Sequence, residues 1–161
     1  MTSLIFEACV ANIESALAAE AAGANRIELC NVLGAGGITP SYGIIETVQE
    51  LISIPVHVLI RPREGDFLYT NEEFESMIRD IEVCKNLGVA GIVTGILKEN
   101  GNVDLERCRK LVACAYPMSI TFHRAFDLTA DAFTSMEDII QFGCNRILTS
   151  GQRATAFHGA S

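Results

Sequence analysis

Short runs rich in β-branched residues alternate along the chain with longer stretches whose apolar positions recur at helical spacing. One long stretch shows this spacing clearly, with Phe74, Met77, Ile78 and Ile81 on a single face. The short runs predict six strands: Leu4–Cys9, Arg26–Cys30, Pro55–Ile60, Gly91–Gly95, Met118–His123 and Arg146–Ser150. The stretches between them predict five helices: Ile13–Ala22, Tyr42–Leu51, Asn71–Leu87, Leu105–Ala115 and Ala132–Phe142. This alternation is typical of βα units around a parallel sheet.

Cap signals mark the ends of several predicted helices. Gly23, Gly88 and Gly143 each stand three or four residues before a strand, where glycine accepts the left-handed conformation that ends a helix. At the opposite end, Asn71 before two glutamates predicts an N-cap, and Asp104 predicts another. These signals support βα units, but they fit a closed barrel and an open sheet equally well.

Polar side chains recur on one face of the predicted strands. With a period of two, that face carries charged residues and histidines: Glu7, Arg26, Glu28, His57, Arg61 and His123. A parallel sheet covered by helices on both sides would be apolar on both faces. A barrel interior, in contrast, can pair charges near a polar mouth. The pattern therefore favours an α/β fold of the TIM (β/α)₈ type over an open doubly wound sheet.

The number of units is smaller than a complete barrel needs. A (β/α)₈ barrel takes about 250 residues, whereas six units of about 27 residues exhaust the 161 residues of this chain. We therefore expect residues 1–161 to form one partial TIM-barrel domain of about six βα units, without the last two. Two open sheet edges would then remain, which predicts a homo-oligomer.

Charge and hydropathy narrow the possible partners. The net charge is −8, the isoelectric point is about 4.8 and no Lys/Arg-rich block occurs, so we expect no nucleic acid partner. No apolar run approaches the roughly 18 residues of a membrane span, and the start of the chain lacks the features of a secretory signal. The six cysteines form no CxxC pair and are expected to be reduced thiols. The chain is thus expected to be cytoplasmic, with no membrane partner.

Six segments carry a distinctive pattern: Arg26–Cys30 (RIELC), Gly36–Ser41 (GGITPS), Ile60–Arg63 (IRPR), Gly65–Tyr69 (GDFLY), Thr121–Asp127 (TFHRAFD) and Leu148–Gln152 (LTSGQ). Together they resemble the CutC family, which is named for copper homeostasis and has a TIM-barrel fold. The resemblance runs from Phe6 to about Ala156. This sequence departs from the family pattern in having Glu64 in place of a glycine and in lacking the seventh and eighth βα units. Those units often form the phosphate site in barrels of this kind.

The first candidate for chemistry is a pair of thiols. Cys9 ends the first predicted strand and Cys30 ends the second, so the two side chains are expected to be neighbours. Soft thiolates select Cu(I), for which two ligands suffice. The resemblance implies the same, since these positions match the cysteines proposed as copper ligands in the family. The alternative is that both are small buried side chains that pack the interior. Cys84, Cys108 and Cys114 lie on predicted helices and are expected only to pack.

The second candidate is a set of polar residues at strand ends and in the loops that follow. Arginines gathered at a barrel mouth bind carboxylate or phosphate, which predicts a substrate-binding group: Arg61, Arg63, Asp66, Arg124 and Gln152. Carboxylates and a histidine at the same end are candidates for acid–base catalysis: Glu7, Glu28, His123 and Asp127. The alternative for each residue is an internal ion-pair network that satisfies a polar interior.

Two functions remain open at this point. One is a copper homeostasis protein that holds Cu(I) on Cys9 and Cys30 and has no turnover. The other is a TIM-barrel enzyme of unknown reaction whose substrate is a small anion, either a carboxylate or a phosphate. The first predicts that the thiols matter and the arginines do not, and the second predicts the reverse.

Overall fold

The computed structural model describes residues 4–160, along which strands and helices alternate as the sequence predicts. Six parallel strands form one sheet in chain order: β1 (Glu7–Val10), β2 (Arg26–Leu29), β3 (Val56–Leu59), β4 (Gly91–Thr94), β5 (Ser119–Phe122) and β6 (Arg146–Ile147). The helices between and after them are α1 (Ile13–Ala21), α2 (Tyr42–Leu51), α3 (Asn71–Asn86), α4 (Leu105–Ala115), α5 (Ala132–Gln141) and α6 (Ala156–Gly159). Two 3₁₀ turns, Leu33–Ala35 and Arg124–Leu128, follow β2 and β5. Parallel strands in sequential order with intervening helices form an incomplete TIM-type barrel, which confirms the predicted fold.

The two faces of the sheet differ in composition. The outer face packs against the helices and forms the main core, in which the largest fully buried side chains include Ile27, Leu29, Met77, Ile81, Ile92, Leu111, Phe122 and Ile139. The inner face carries a much smaller apolar cluster: Cys30, Leu59 and Val93. The remaining inner-face positions are mostly polar, as the period-two pattern predicts. Within residues 4–160, no helix is long and apolar enough to cross a membrane.

Helix α3 begins with a capping box one residue earlier than predicted. The Thr70 hydroxyl accepts the Glu73 backbone N–H (3.2 Å), and the Glu73 carboxylate accepts the Thr70 backbone N–H (2.8 Å). The prediction of Asn71 as N-cap is therefore wrong, because its side chain instead accepts a hydrogen bond from Arg107 of α4. Asp104 is confirmed as the N-cap of α4.

The first and last strands differ in extent from their predictions. Strand β1 starts at Glu7 rather than Leu4, and β6 ends at Ile147 rather than Ser150. The Leu148 backbone N–H still donates to the Phe122 carbonyl, but the Ser150 backbone N–H donates to the Asp127 carboxylate rather than to a neighbouring strand. The sixth strand is therefore short, and the segment after it forms a loop at the barrel mouth.

Candidate functional site

A pocket of about 340 Å³ opens at the carboxyl ends of the strands, on the inner side of the half-barrel. This mouth pocket is lined by Cys9, Glu28, Leu33, Ala35, Gly36, Leu59, Arg61, Phe67, His123, Arg124 and Leu148. Two further depressions of similar size lie on the outer surface around α3 and α4, lined mainly by charged helix side chains. Five of the eleven predicted site residues line the mouth pocket, at the end of a parallel barrel where ligand sites are built: Cys9, Glu28, Arg61, His123 and Arg124.

The two predicted thiol ligands lie side by side at the edge of the mouth pocket. Cys9 Sγ lies 4.0 Å from Cys30 Sγ, and Cys30 Sγ also donates to the Val10 carbonyl at 3.5 Å. The hydrogen bond with Cys30, burial and the charge of Glu28 raise the pKa of Cys9, whereas the bond from Cys9 lowers the pKa of Cys30. The two sulfurs are therefore close enough to share a hydrogen bond, and their surroundings shift the two pKa values in opposite directions.

The loop after β2 approaches these thiols closely at Gly37. This residue has a φ of +84°, and a Cβ on it would lie 2.7 Å from the Leu59 side chain and 3.2 Å from the Cys30 Cβ. Only glycine fits this conformation and this spacing without a shift of its neighbours. The loop can thus cover the buried thiol while Cys9 remains exposed.

The two predicted glutamates have different surroundings. Glu7 forms an ion pair with Arg26 on the neighbouring strand, below the mouth pocket. Glu28 is only 7% exposed, and its Oε1 lies 4.0 Å from Cys9 Sγ. Burial and the charge of Glu7 raise the pKa of Glu28 to about 7, against the lowering influence of Arg26. Glu28 therefore lines the pocket as a carboxyl group that carries a proton part of the time near neutral pH.

Arg61, at the end of β3, connects two loops over the mouth pocket. Its guanidinium donates to the carbonyls of Gly37 (2.8 Å) and Gly65 (2.7 Å) and, more weakly, of Ala35 (3.4 Å). The guanidinium carbon lies 4.9 Å from the centroid of the Phe67 ring. The side chain is almost fully buried, and its Nε has no hydrogen-bond partner among the described residues.

His123 contacts the same aromatic ring as Arg61. Its Nδ1 accepts the Ala125 backbone N–H at 3.2 Å, and its ring centroid lies 4.7 Å from that of Phe67. The ring nitrogen Nε2 is buried and has no partner within residues 4–160. Burial and the charge of Arg61 lower the pKa of His123 to about 3, so the imidazole is neutral at physiological pH.

The predicted substrate-binding residues Arg63 and Asp66 lie outside the mouth pocket. Arg63 donates to Glu73 of α3 (2.6 Å) and to Asp66 (2.9 Å), and it covers the ring of Tyr69. Burial raises the pKa of Tyr69 to about 12 despite the opposing charge of Arg61, and no partner of its hydroxyl is found among the described residues. Arg63 and Asp66 therefore stabilise the loop after β3.

Asp127 and Gln152 connect the loops that follow β5 and β6. The Asp127 carboxylate accepts hydrogen bonds from Arg124 Nε (2.8 Å), the Thr149 hydroxyl (2.6 Å) and the Ser150 and Gln152 backbone N–H groups. Although burial opposes it, these bonds hold the pKa of Asp127 well below its ordinary value. The Gln152 side chain donates to Thr129. Of this group, only Arg124 lines the mouth pocket.

Arg146 and Phe67 are important residues that the sequence did not single out. Arg146 donates to Ser119 and Thr121, and its guanidinium lies 3.4 Å from Nδ1 of His57 on the inner face below the pocket. The sequence did hold a signal for Arg146: alternation with a period of two places it on the same inner face of its strand as the other charged residues. Phe67 lies in a loop, where no periodicity could have indicated its contacts with both Arg61 and His123.

Fold and pocket together define a class of protein: an incomplete TIM-type α/β barrel with paired thiols and buried basic groups at the carboxyl ends of its strands. Within that class, the chain belongs to the CutC family, whose model matches residues 4–161. This result confirms the family resemblance of the sequence segments.

Relatives and solved structures agree with this assignment. A CutC family protein of Histophilus somni (strain 2336) is 50% identical over 153 residues, which are 95% of this chain and 63% of the relative. One from Salmonella typhimurium is 48% identical over 157 residues, 98% of this chain and 63% of the relative. This chain thus spans less than two thirds of the length of these relatives.

Among solved structures, a candidate copper homeostasis protein CutC of Streptococcus agalactiae has a TM-score of 0.88. It is 34% identical, and the match covers 94% of this chain and 75% of that one. A phosphoenolpyruvate phosphomutase of Streptomyces platensis matches with a TM-score of 0.66 and 13% identity, over 92% of this chain and 60% of that one. The second likeness is one of fold alone.

Proposed function

We propose that this chain is a cytoplasmic copper homeostasis protein that binds Cu(I) through the thiols of Cys9 and Cys30. The observation that carries the proposal is the 4.0 Å distance between the two sulfurs at the ends of adjacent strands. Membership of the CutC family supports a relation to copper. Reduced thiols persist in the cytoplasm, where such a site would remain free of disulfide.

The donor set fits Cu(I) better than it fits other common metals. Thiolates are soft ligands that select Cu(I), whereas zinc sites in proteins use three or four ligands. Among residues 4–160, no cluster of three or more His, Cys, Asp or Glu side chains is arranged to hold a metal ion. A site with two thiolate ligands therefore favours a metal ion that can be coordinated by two sulfur atoms alone.

The spacing of the thiols also fits the size of such a site. Two metal–sulfur bonds of about 2.3 Å, the length in zinc–thiolate sites, span about 4.6 Å when collinear. The observed 4.0 Å is close to this span, and the exposed Cys9 side chain can move outward by the difference. Because a thiol must lose its proton to bind the metal, we expect the affinity to rise with pH.

The test is a competitive Cu(I) titration under anaerobic, reducing conditions with a chromogenic Cu(I) chelator. We expect tight one-to-one binding by the natural chain and its loss in the Cys9→Ser/Cys30→Ser double variant. The matched control is Cys114→Ala/Cys144→Ala, which removes two partly buried thiols that lie outside the mouth pocket. Equal binding by both double variants, or no binding by the natural chain, would refute the proposal.

A further inference from the structure

We propose that the mouth pocket has a second binding site, in which Arg61 and His123 hold the carboxylate of a small organic monocarboxylate. The proposal goes beyond copper binding and does not depend on it, because neither residue is one of the thiol ligands. It is carried by two buried groups on residues that line the same pocket: the charge of Arg61, which has no anionic partner among the described residues, and an N–H donor of His123, which has no acceptor there.

The positive charge belongs to Arg61. This side chain is 5% exposed, and the groups that accept its hydrogen bonds are backbone carbonyls. Among the described residues, no carboxylate lies within 4.0 Å of its guanidinium, and Asp66, which feels its charge, is paired with Arg63. A buried cation without a counter-ion is unfavourable, because it has lost the solvation that water would provide. An anion in the pocket would remove that cost.

The donor belongs to His123. Because Nδ1 accepts the Ala125 N–H, the hydrogen of the neutral ring is on Nε2, which is buried and has no acceptor within residues 4–160. A buried donor without an acceptor is unfavourable, because it has lost its hydrogen bond to water and gained none in return. The Phe67 ring contacts both side chains, at 4.7 Å from the His123 ring and 4.9 Å from the Arg61 guanidinium, so both groups adjoin one wall of the pocket.

The charge and lining of the pocket indicate the class of ligand. Arg124, the second cation of the lining, is paired with Asp127, so Arg61 is the lining cation without an anionic partner. Together with the neutral N–H donor of His123, it matches the single charge and two oxygens of a carboxylate. A phosphate dianion would bring a second negative charge into a pocket that Glu28 also lines. The other lining residues are largely apolar: Leu33, Ala35, Leu59 and Leu148. A volume of about 340 Å³ is at the small end of ligand pockets, which suits a short carboxylate with an apolar chain.

The experiment uses the full chain, metal-free and reduced, in ¹H–¹⁵N correlation spectra titrated with three probes. Butyrate supplies the carboxylate, butyramide is its neutral counterpart, and methyl phosphate supplies a dianion. We expect saturable shifts with butyrate around Arg61, Phe67 and His123, and none with butyramide. Saturable binding of methyl phosphate in preference to butyrate would overturn the monocarboxylate assignment. No saturable response to butyrate, or an equal response to butyramide, would overturn the site itself.

Paired substitutions at His123 separate binding from folding. His123→Asn keeps an acceptor for the Ala125 N–H but removes the Nε2 donor, so we expect butyrate affinity to fall about tenfold. His123→Gln restores an N–H near the Nε2 position and should regain part of the affinity. A His123→Asn variant that binds butyrate as tightly as the natural chain would refute the role of this donor.

A charge control and a thiol control complete the design. Arg61→Gln should abolish butyrate binding, whereas Arg109→Gln, the same charge change on the exposed surface of α4, should leave it unchanged. Equal losses in both variants would mean a general charge effect and would refute the site.

Because Cys9→Ser/Cys30→Ser lacks the copper ligands but keeps Arg61 and His123, it should still bind butyrate. Failure of copper binding and failure of carboxylate binding are thereby told apart.

Discussion

Two glycines make room for the histidines on the inner face of the half-barrel. A Cβ on Gly91 would lie 2.8 Å from the His57 ring, and one on Gly95 would lie 2.8 Å from the His123 ring. Both distances are shorter than real Cβ contacts allow. Burial, together with a nearby arginine, lowers the pKa of His57 to about 4 and that of His123 to about 3. The imidazoles are thus neutral, closely packed rings. They can occupy these positions only because the neighbouring residues have no side chain.

Substitution of Gly95 by alanine tests this packing. We expect Gly95→Ala to lower the free energy of unfolding by about 1–3 kcal/mol, because the added methyl group forces the His123 ring to move. The matched control is Gly43→Ala within α2, where a Cβ meets nothing within 4 Å. That change should stabilise the chain by about 0.5–1 kcal/mol. Urea unfolding of both variants measures the difference, and equal stability of the two would contradict the packing argument.

The contribution of the single residue Asp127 to stability is expected to depend on pH. Its folded-state pKa is lowered, so its stabilising contribution is complete above the ordinary value of 3.8 and is lost as pH falls towards the folded value. Asp127→Asn should lower the free energy of unfolding by about 2 kcal/mol near neutral pH, since it weakens bonds from Arg124 and the β6 loop. Below about pH 4 the difference from the natural chain should shrink. A difference that stays constant or grows on acidification would show that the carboxylate charge is not responsible.

Helices and strands could be predicted wherever apolar and polar residues repeat with a regular period along the chain. The five predicted helices were recovered to within one residue, because their apolar faces repeat every three or four positions, and the short α6 was not among them. The polar inner face followed from the period of two, as the positions of Glu28, His57 and His123 show. Apolar and polar residues do not repeat regularly in loops. Nothing in the sequence therefore indicated that Arg63 pairs with Glu73 of α3 while Arg61, two residues earlier, lines the pocket.

The capping box of α3 gives a prediction at the scale of the element. Thr70→Ala removes the hydroxyl that accepts the Glu73 N–H and should lower the free energy of unfolding by about 1 kcal/mol. Thr70→Ser keeps the hydroxyl and should retain most of the stability. Chemical denaturation compares the two variants with the natural chain. An equal loss in both would assign the effect to the lost methyl group rather than to the cap.

At the scale of the whole molecule, the six strands of the described chain form an incomplete barrel. Strands β1 and β6 each have one neighbour in this sheet, so each presents an unpaired edge within residues 4–160. Leu4, Ile5 and Phe6, just before β1, are strongly exposed. Exposed edges with apolar side chains favour pairing with another chain. The homo-oligomer expected from the sequence stays a prediction.

Light scattering coupled to size exclusion tests this prediction. We expect the 161-residue chain to elute as a dimer or larger species, and Ile5→Lys/Phe6→Lys to shift it towards the monomer. Phe133→Lys is the control, because Phe133 is a strongly exposed aromatic residue on α5 rather than in the segment next to β1. A monomeric natural chain would contradict the prediction. An equal shift with Phe133→Lys would show that the β1 edge is not the contact.

The most direct test of copper binding at the thiol pair is X-ray absorption at the copper edge of the chain loaded with one equivalent of Cu(I). Binding through Cys9 and Cys30 predicts two sulfur neighbours around the metal and no nitrogen neighbours. The same spectrum should be lost in Cys9→Ser/Cys30→Ser and kept in Cys114→Ala/Cys144→Ala. Nitrogen neighbours in the natural chain, or an unchanged spectrum after loss of both pocket thiols, would contradict the assignment.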